Sequence, residues 1–333
     1  MKNFFNAILR FLVKIALHFY FKRIRVRGKN HIPKGKPVIL VANHQNALID
    51  PLLLATHTRL NPWFLTRAAV FKNPIIAKIL NFIRMLPVYR VRDGFSTIQQ
   101  NQQIFDKTYE ILKDNGTVII FAEGSHSLNR YLRPLSKGFT RMAFGLKEKY
   151  PGTEPVILPV AIEFSAHRRT GSNASITFGE AIPVTMDYAQ SGILTKQVEK
   201  ALKNLMVEIP AENYEHHLDQ LIENRIDLTD KKAVALFLNE GKKEKTFTNP
   251  AGLRNKVMKI LHLPFYLFWL WMDSKIEDRV FDSTFKFVIG FFLVPFWYLG
   301  LLWMSFSSSL GSWALTWLIL SIFSVLWNKN PQE

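Results

Sequence analysis

The sequence predicts an α/β domain built on a mostly parallel sheet flanked by helices. An amphipathic membrane helix precedes it, and a transmembrane helical hairpin follows. Three observations predict this. Short β-branched runs alternate with segments of helical period through the middle of the chain, the pattern of a parallel sheet with crossover helices. A polar or basic residue recurs every fourth position at the start, among phenylalanines and leucines. Near the end, 42 residues between Lys286 and Lys329 carry no charged side chain.

The opening segment sets Asn6, Arg10, Lys14, His18 and Lys22 along one stripe, with Phe4, Phe5, Ile8, Leu9, Phe11, Leu12, Ile15 and Phe19 filling the rest. Such a helix lies in a lipid interface. Arg10 and Lys14 break any signal-peptide h-region. In the middle, Pro37–Asn43, Thr117–Ala122, Pro155–Phe164 and Ala174–Phe178 read as strands, and Pro74–Ile83, Ser96–Asp114 and Phe139–Tyr150 as helices. Asp50-Pro51 reads as a helix N-cap followed by proline at the first helical position. After Pro183 the chain turns polar and helical to about Lys245. Four units follow: an interface helix over 1–30, an α/β domain over 31–190, a polar helical segment over 191–250 and a membrane segment over 251–333. Within the last, the uncharged stretch is too long for one pass of a ~30 Å core at ~1.5 Å per residue. It suits two helices, about 287–306 and 310–327, with Pro295 kinking the first. Ile260–Met272 is too short to span and is expected at the interface.

Charge is concentrated. Of the 43 Lys and Arg residues, seventeen lie before position 93, against a single acid, Asp50. The rest of the chain is nearly neutral. Such a field draws anionic partners, and its lipid-seeking surroundings favour an anionic membrane surface over nucleic acid, for which no zinc-finger or RNP-like motif is present. The absence of cysteine excludes disulfides, thiolate zinc sites, a thiol nucleophile and S-palmitoylation. There is no phosphate-binding P-loop, no G-x-G-x-x-G, no H-E-x-x-H and no G-x-S-x-G, so neither a cofactor nor a metal is expected.

Chemistry-bearing residues gather after two of the strands. The first strand runs into Asn43-His44-Gln45-Asn46-Ala47-Leu48-Ile49-Asp50, the second into Glu123-Gly124-Ser125-His126-Ser127. A histidine closely followed by an aspartate suits a general base held by a carboxylate. On a regular helix positions 44 and 50 would face different ways, so contact between them requires a loop. The plainer alternative is a loop histidine and a capping aspartate.

NHQNALID, PVYRVRDG, FAEGSHS and ILPVAI, in this order, resemble the four blocks of the glycerolipid acyltransferase family, over roughly residues 20–200. The resemblance implies a membrane enzyme moving an acyl group from a coenzyme A or acyl carrier protein thioester to the hydroxyl of a glycerophosphate or lysophospholipid. It assigns His44 as the base and Asp50 as its partner. It assigns Arg90 or Arg92 to the acceptor phosphate, Glu123, Gly124 and Ser125 to glycerophosphate binding, and Pro159 to the apolar fourth block. Lys286 and Lys329, flanking the uncharged stretch, put both ends of the hairpin on the cytoplasmic face of the cell membrane, and a bacterial cell is expected. Two departures stand out. Five residues separate His44 from Asp50 where the family usually has four, and His126 stands where an arginine is common. Arg130 or Arg133 is expected to supply the missing cation. Other acceptors, such as an ornithine lysolipid, remain open, as do a non-catalytic lipid-binding scaffold and a hydrolase.

Overall fold

The computed structural model describes residues 2–89, 97–185, 187–243 and 252–327. Its centre is an eight-stranded sheet: β1 (Arg23–Arg27), β2 (Val38–Ala42), β3 (Trp63–Arg67), β4 (Met85–Val88), β5 (Thr117–Phe121), β6 (Val156–Phe164), β7 (Asn173–Phe178) and β8 (Ile182–Pro183). The order is β1-β7-β6-β2-β5-β3-β4, with β8 also paired to β6. All pairings are parallel except those of β6 with β7 and with β8. The expected mostly parallel α/β fold is therefore present.

Helices α1 (Lys2–Tyr20) and α2 (Ile49–His57) cover one face of the sheet, and α4 (Thr97–Lys113), α5 (Gly138–Lys149) and α6 (Ser191–Leu205) the other; the short α3 (Pro74–Phe82) precedes β4. Strand β2 shows why both faces must be covered. Val38, Leu40 and Ala42 pack with Leu17 and Leu53 on one side, while Ile39 and Val41 pack with Leu112, Phe139 and Val198 on the other. A strand buried on both faces reads as an unbroken apolar run, and this is why it was legible. Strands β1, β3 and β4 were not. The Arg-Ile-Arg-Val-Arg of β1 falls within 1–30, where a helix was expected. The chain instead leaves α1 at Tyr20 and pairs with β7, turning Ile24 and Val26 toward the core.

Pro159 lies inside β6, where a ladder hydrogen bond would normally be lost. Along one edge, Val156 and Ile157 pair with β8, and Val160 onward with β7. Pro159 falls between these two partners, and its carbonyl accepts the Gly179 N–H at 2.9 Å.

The stripe on α1 is used differently from expectation. Asn6 donates to the Phe82 carbonyl at 3.0 Å, and Arg10 donates to Asn61 Oδ1 and the Leu60 carbonyl, both at 2.9 Å. His18 packs edge-on to His57, with ring centroids 5.3 Å apart. The first part of the polar stripe, Asn6 and Arg10, thus faces the domain, where the Phe82 carbonyl ending α3 and the Leu60 carbonyl just beyond α2 accept, while Lys14 stays exposed. The apolar face points outward, with Phe11 62% exposed.

The polar segment after the sheet holds α6, α7 (Tyr214–Glu223) and α8 (Lys231–Glu240). Val207, Ile209, Leu221, Ile226 and Leu228 give it a small core of its own, and Arg25 pairs with Asp227 at 3.0 Å. Beyond it come α9 (Gly252–Leu261), α10 (Leu263–Asp273), α11 (Asp282–Ser307) and α12 (Gly311–Trp327). The last two pack side by side, as expected for a hairpin, and Pro295 lies within α11. Among the described residues, Arg279–Ser307 is the one helical segment long and apolar enough to cross a membrane, by length and composition. Helix α12, with 17 residues, reaches only ~26 Å.

Candidate active site

The site forms where β2 and β5 end side by side, as parallel strands place their C-terminal loops together. The parallel register Ala42↔Phe121 sets the two loops next to each other. His44 follows β2, and its ring stacks on Phe121 with centroids 4.0 Å apart. Asn43 anchors the loop from behind, bonding both the carbonyl and the N–H of Ile162 in β6, at 3.0 and 2.8 Å.

His44 Nδ1 lies 2.8 Å from Asp50 Oδ2. The same oxygen accepts the backbone N–H groups of Gln45 and Asn46 at 2.8 and 2.7 Å. Asp50 is not the N-cap expected from sequence. Helix α2 starts at Ile49, and the carboxylate turns back into the loop to take N–H groups that precede the helix. This wrapped loop brings together two residues that a regular helix would separate. An ionised carboxylate only accepts, so Nδ1 carries the hydrogen and Nε2 keeps its lone pair. The His44 side chain is 14% exposed and that of Asp50 is fully buried, so a held base faces outward from the fold.

Glu123 joins the second loop to the first. Its side chain is 4% exposed. Oε1 accepts the His44 N–H at 3.0 Å, and Oε2 accepts from Arg133 Nε at 2.8 Å. Arg133 also donates to Ser125 Oγ at 2.7 Å and to the Ser125 carbonyl. The loop closes with the Ser127 N–H on the His44 carbonyl at 3.0 Å. Gly124 takes a φ of +72° here, a left-handed conformation that favours glycine.

Of the two arginines expected to supply a cation, Arg133 is at the site, with 23% of its side chain exposed. Arg130 is buried deep in the fold. It donates to His167 Nδ1 at 3.3 Å, and His167 Nε2 in turn bonds Gln45 Oε1 at 3.1 Å. Glu163 lies 3.8 Å from Arg130 and accepts the Val207 N–H at 2.9 Å. Burial pushes Glu163 up to about 8, against the pull of Arg130 and of that N–H. This buried chain supports the loop from below. Pro159 is interior to the sheet, several residues from the loops. Arg90 and Arg92 lie outside the described residues.

His126 sits edge-on to His44, ring centroids 5.7 Å apart, and edge-on to Phe281 at 5.0 Å. Its Nδ1 is 3.9 Å from Asp278 Oδ2. Burial, and then the neighbouring His44, hold its pKa below the usual histidine range. Asp278 and Phe281 lie just before α11, and the next turn continues the contact. Thr284 Oγ1 accepts the Leu48 N–H at 3.3 Å, Ser283 donates to the His167 carbonyl, and Asp282 pairs with Arg168 at 2.5 Å. The sequence had no signal for this contact, because it joins segments more than 110 residues apart.

Residues 23–163 match the family model described as Acyltransferase. Over 108 residues the chain is 33% identical to Glycerol-3-phosphate O-acyltransferase 2 of Saccharomyces cerevisiae, covering 28% of this chain and 14% of the relative. It is 25% identical over 138 residues to the chloroplastic 1-acyl-sn-glycerol-3-phosphate acyltransferase LPAT1 of Arabidopsis thaliana, covering 41% and 36%. The crystal structure of the 1-acyl-sn-glycerophosphate acyltransferase PlsC from Thermotoga maritima superposes with a TM-score of 0.47 at 21% identity, covering 61% and 79%. The chain thus spans well under two thirds of the length of these yeast and plant relatives. The paired loops and the matched segment define an acyltransferase-type domain. With the four blocks in order, this segment is similar to the glycerolipid acyltransferases.

Proposed function

We propose that the protein is a membrane-bound O-acyltransferase, moving an acyl group from a coenzyme A or acyl carrier protein thioester to the hydroxyl of a glycerophosphate or lysophospholipid. The observation carrying this is the 2.8 Å contact of His44 Nδ1 with a buried Asp50 carboxylate. Nε2 takes the acceptor's hydroxyl proton as its oxygen attacks the thioester carbonyl. The tetrahedral intermediate collapses, the C–S bond breaks, and the imidazolium returns the proton to the thiolate. Asp50 stabilises the imidazolium and holds its orientation. No acyl-enzyme is required.

Arg133 is the cation best placed for the acceptor phosphate, in the role expected of the third-block arginine. Glu123 and Ser125 act through it, since both bond its guanidinium. Gly124 supplies the turn, and Arg90 or Arg92 completes the phosphate contact. Pro159 shapes the sheet beneath. The names of the yeast and plant relatives support either glycerol 3-phosphate or its 1-acyl derivative as acceptor.

The outward apolar face of α1 and the α11–α12 hairpin support a membrane location, with both hairpin ends on the cytoplasmic side. The chain has no cysteine, so a single Ser309→Cys variant tests this cleanly. Labelling by an impermeant thiol reagent from outside intact cells is expected, and protection there overturns the hairpin.

The activity is tested with membranes holding the protein or its His44→Ala variant, given labelled acyl thioester and either glycerol 3-phosphate or lysophosphatidate. His44-dependent lysophosphatidate from the first or phosphatidate from the second supports the proposal and identifies the acceptor. Free fatty acid without either product makes the protein a hydrolase. No turnover of the thioester by the folded protein overturns catalysis on these acceptors.

A further inference from the structure

Helices α1, α9, α10, α11 and α12 enclose a cavity of about 1380 Å³, separate from His44. That exceeds the ~300–1,000 Å³ of ordinary small-molecule sites. Its walls are largely aromatic and aliphatic, but one end is cationic, with Arg169 and Lys286 among the lining residues, and Lys259 lies further along the wall. Lys286 and Arg169 share that end, whereas Lys259 sits deeper, in the turn before His262, which bonds the Tyr298 hydroxyl at 2.8 Å. Lys259 Nζ lies 3.3 Å from the Tyr266 hydroxyl, and one turn on in α10 the Trp269 ring carries Lys286 Nζ at 4.4 Å. Lys286 in turn donates to the Arg168 carbonyl at 2.6 Å, beside Arg169. Each ammonium spends one of its three hydrogens on these oxygens and has others to offer an anion. The nearby acids are committed elsewhere, Asp282 to Arg168 and Asp273 to Arg279.

The apolar part runs along α11 from Lys286 to Phe296. Ten residues of helix cover ~15 Å, half of a ~30 Å hydrocarbon core and so the depth of one leaflet. A cationic end above an apolar slot one leaflet deep matches an anionic lipid. A partner helix would leave the cations facing apolar side chains.

We propose that this cavity binds one anionic phospholipid of the surrounding leaflet, its phosphate at Lys286 and Arg169 and its acyl chains along α11 past Lys259. The site goes beyond acyl transfer and does not require it, resting only on the membrane placement of α11. Lys286 and Phe287, which line it, lie within a turn of Thr284, which accepts the Leu48 N–H of the His44 loop, and of Ser283, which donates to the same His167 carbonyl as Asn46 of that loop. The bound lipid therefore braces the helix that braces the catalytic loop.

Gly290 offers the test, since it lines the cavity and a Cβ built on it meets nothing within 4 Å. A bulky side chain there fills the slot. The purified full-length protein in detergent is incubated with phosphatidylglycerol, diacylglycerol or inorganic phosphate and observed by native mass spectrometry. One phosphatidylglycerol retained per chain is expected, with retention of diacylglycerol and of phosphate at least tenfold lower. Gly290→Phe should cut phosphatidylglycerol retention about tenfold. The double variant Arg169→Gln, Lys286→Gln should cut it similarly and leave weak diacylglycerol binding unchanged. Equal retention of phosphatidylglycerol and diacylglycerol overturns the proposal. So does undiminished retention in Gly290→Phe, or a protein dimer that this variant abolishes. If Gly290→Phe does not fold, the double variant, which keeps the cavity's shape, decides.

Discussion

The backbone N–H of His44 donates to the carboxylate of Glu123 at 3.0 Å, so the loops after β2 and β5 are one unit. The same carboxylate holds Arg133, which places His44 and Arg133 on a shared support. Moving either loop therefore moves both.

Asp50→Asn keeps the size of the side chain and removes the charge that stabilises an imidazolium at His44. Its amide can also donate to His44, favouring the wrong tautomer. We expect a ~10²–10⁴-fold fall in acyl transfer, the range for loss of a general base. The acceptor KM should change little, as measured with labelled thioester in membranes.

Arg133→Lys keeps the charge and loses the planar fork that reaches Glu123 and Ser125 together. Acceptor KM should rise about tenfold or more, the effect of ~1.4 kcal/mol, with a smaller effect on kcat. Steady-state kinetics against acceptor concentration separate the two. A fall in kcat alone would show that Arg133 does not meet the acceptor.

His57 Nδ1 lies 2.8 Å from the Thr56 hydroxyl oxygen, whose own proton goes to the Leu52 carbonyl at 2.7 Å, and the ring sits against His18 of α1. Burial, followed by the nearby His18 and Lys14, lowers its pKa to about 4. The unfolded chain then takes up this proton near pH 6.5 and the folded chain only near 4. Stability is complete above 6.5 and falls as pH drops through that window. The loss is roughly 3 kcal/mol at most, from ~1.36 kcal/mol per unit. His57→Gln should flatten the decline in melting temperature between pH 6.5 and 4.

On α1, Leu17 is 0% exposed in the core and Phe11 points outward. Leu17→Ala should cost ~2–5 kcal/mol of stability, as core truncations do. Phe11→Ser should leave melting in detergent nearly unchanged and weaken binding of the isolated N-terminal peptide to vesicles. If Phe11→Ser destabilised the detergent-solubilised protein as much, that face would be packed against protein.

The apolar strands β2, β5 and β6, the outline of the hairpin and the pairing of His44 with Asp50 were legible because each is carried by local pattern or by a short motif. Strands β1, β3 and β4 were not. They lie toward the sheet's edges and are mostly only partly buried: β1 alternates arginine with apolar residues, β3 ends in Thr-Arg, and the apolar run of β4 is four residues long and contains a proline. For α1, amphipathicity identified two faces and left open which of them meets the protein. The carbonyls of Leu60 and Phe82 decided it, by accepting Arg10 and Asn6.

By itself the sequence determined a basic, cysteine-free α/β acyltransferase-type domain with apolar ends, because composition, periodicity and motif order are properties of neighbouring residues. Tertiary structure alone decided that Glu123 shares its oxygens between His44 and Arg133 and that the start of α11 packs on the His44 loop. Both depend on hydrogen bonds that form only once segments distant in sequence are brought side by side, whereas the turn of Asp50 back into the loop is a local set of bonds that helical periodicity does not show.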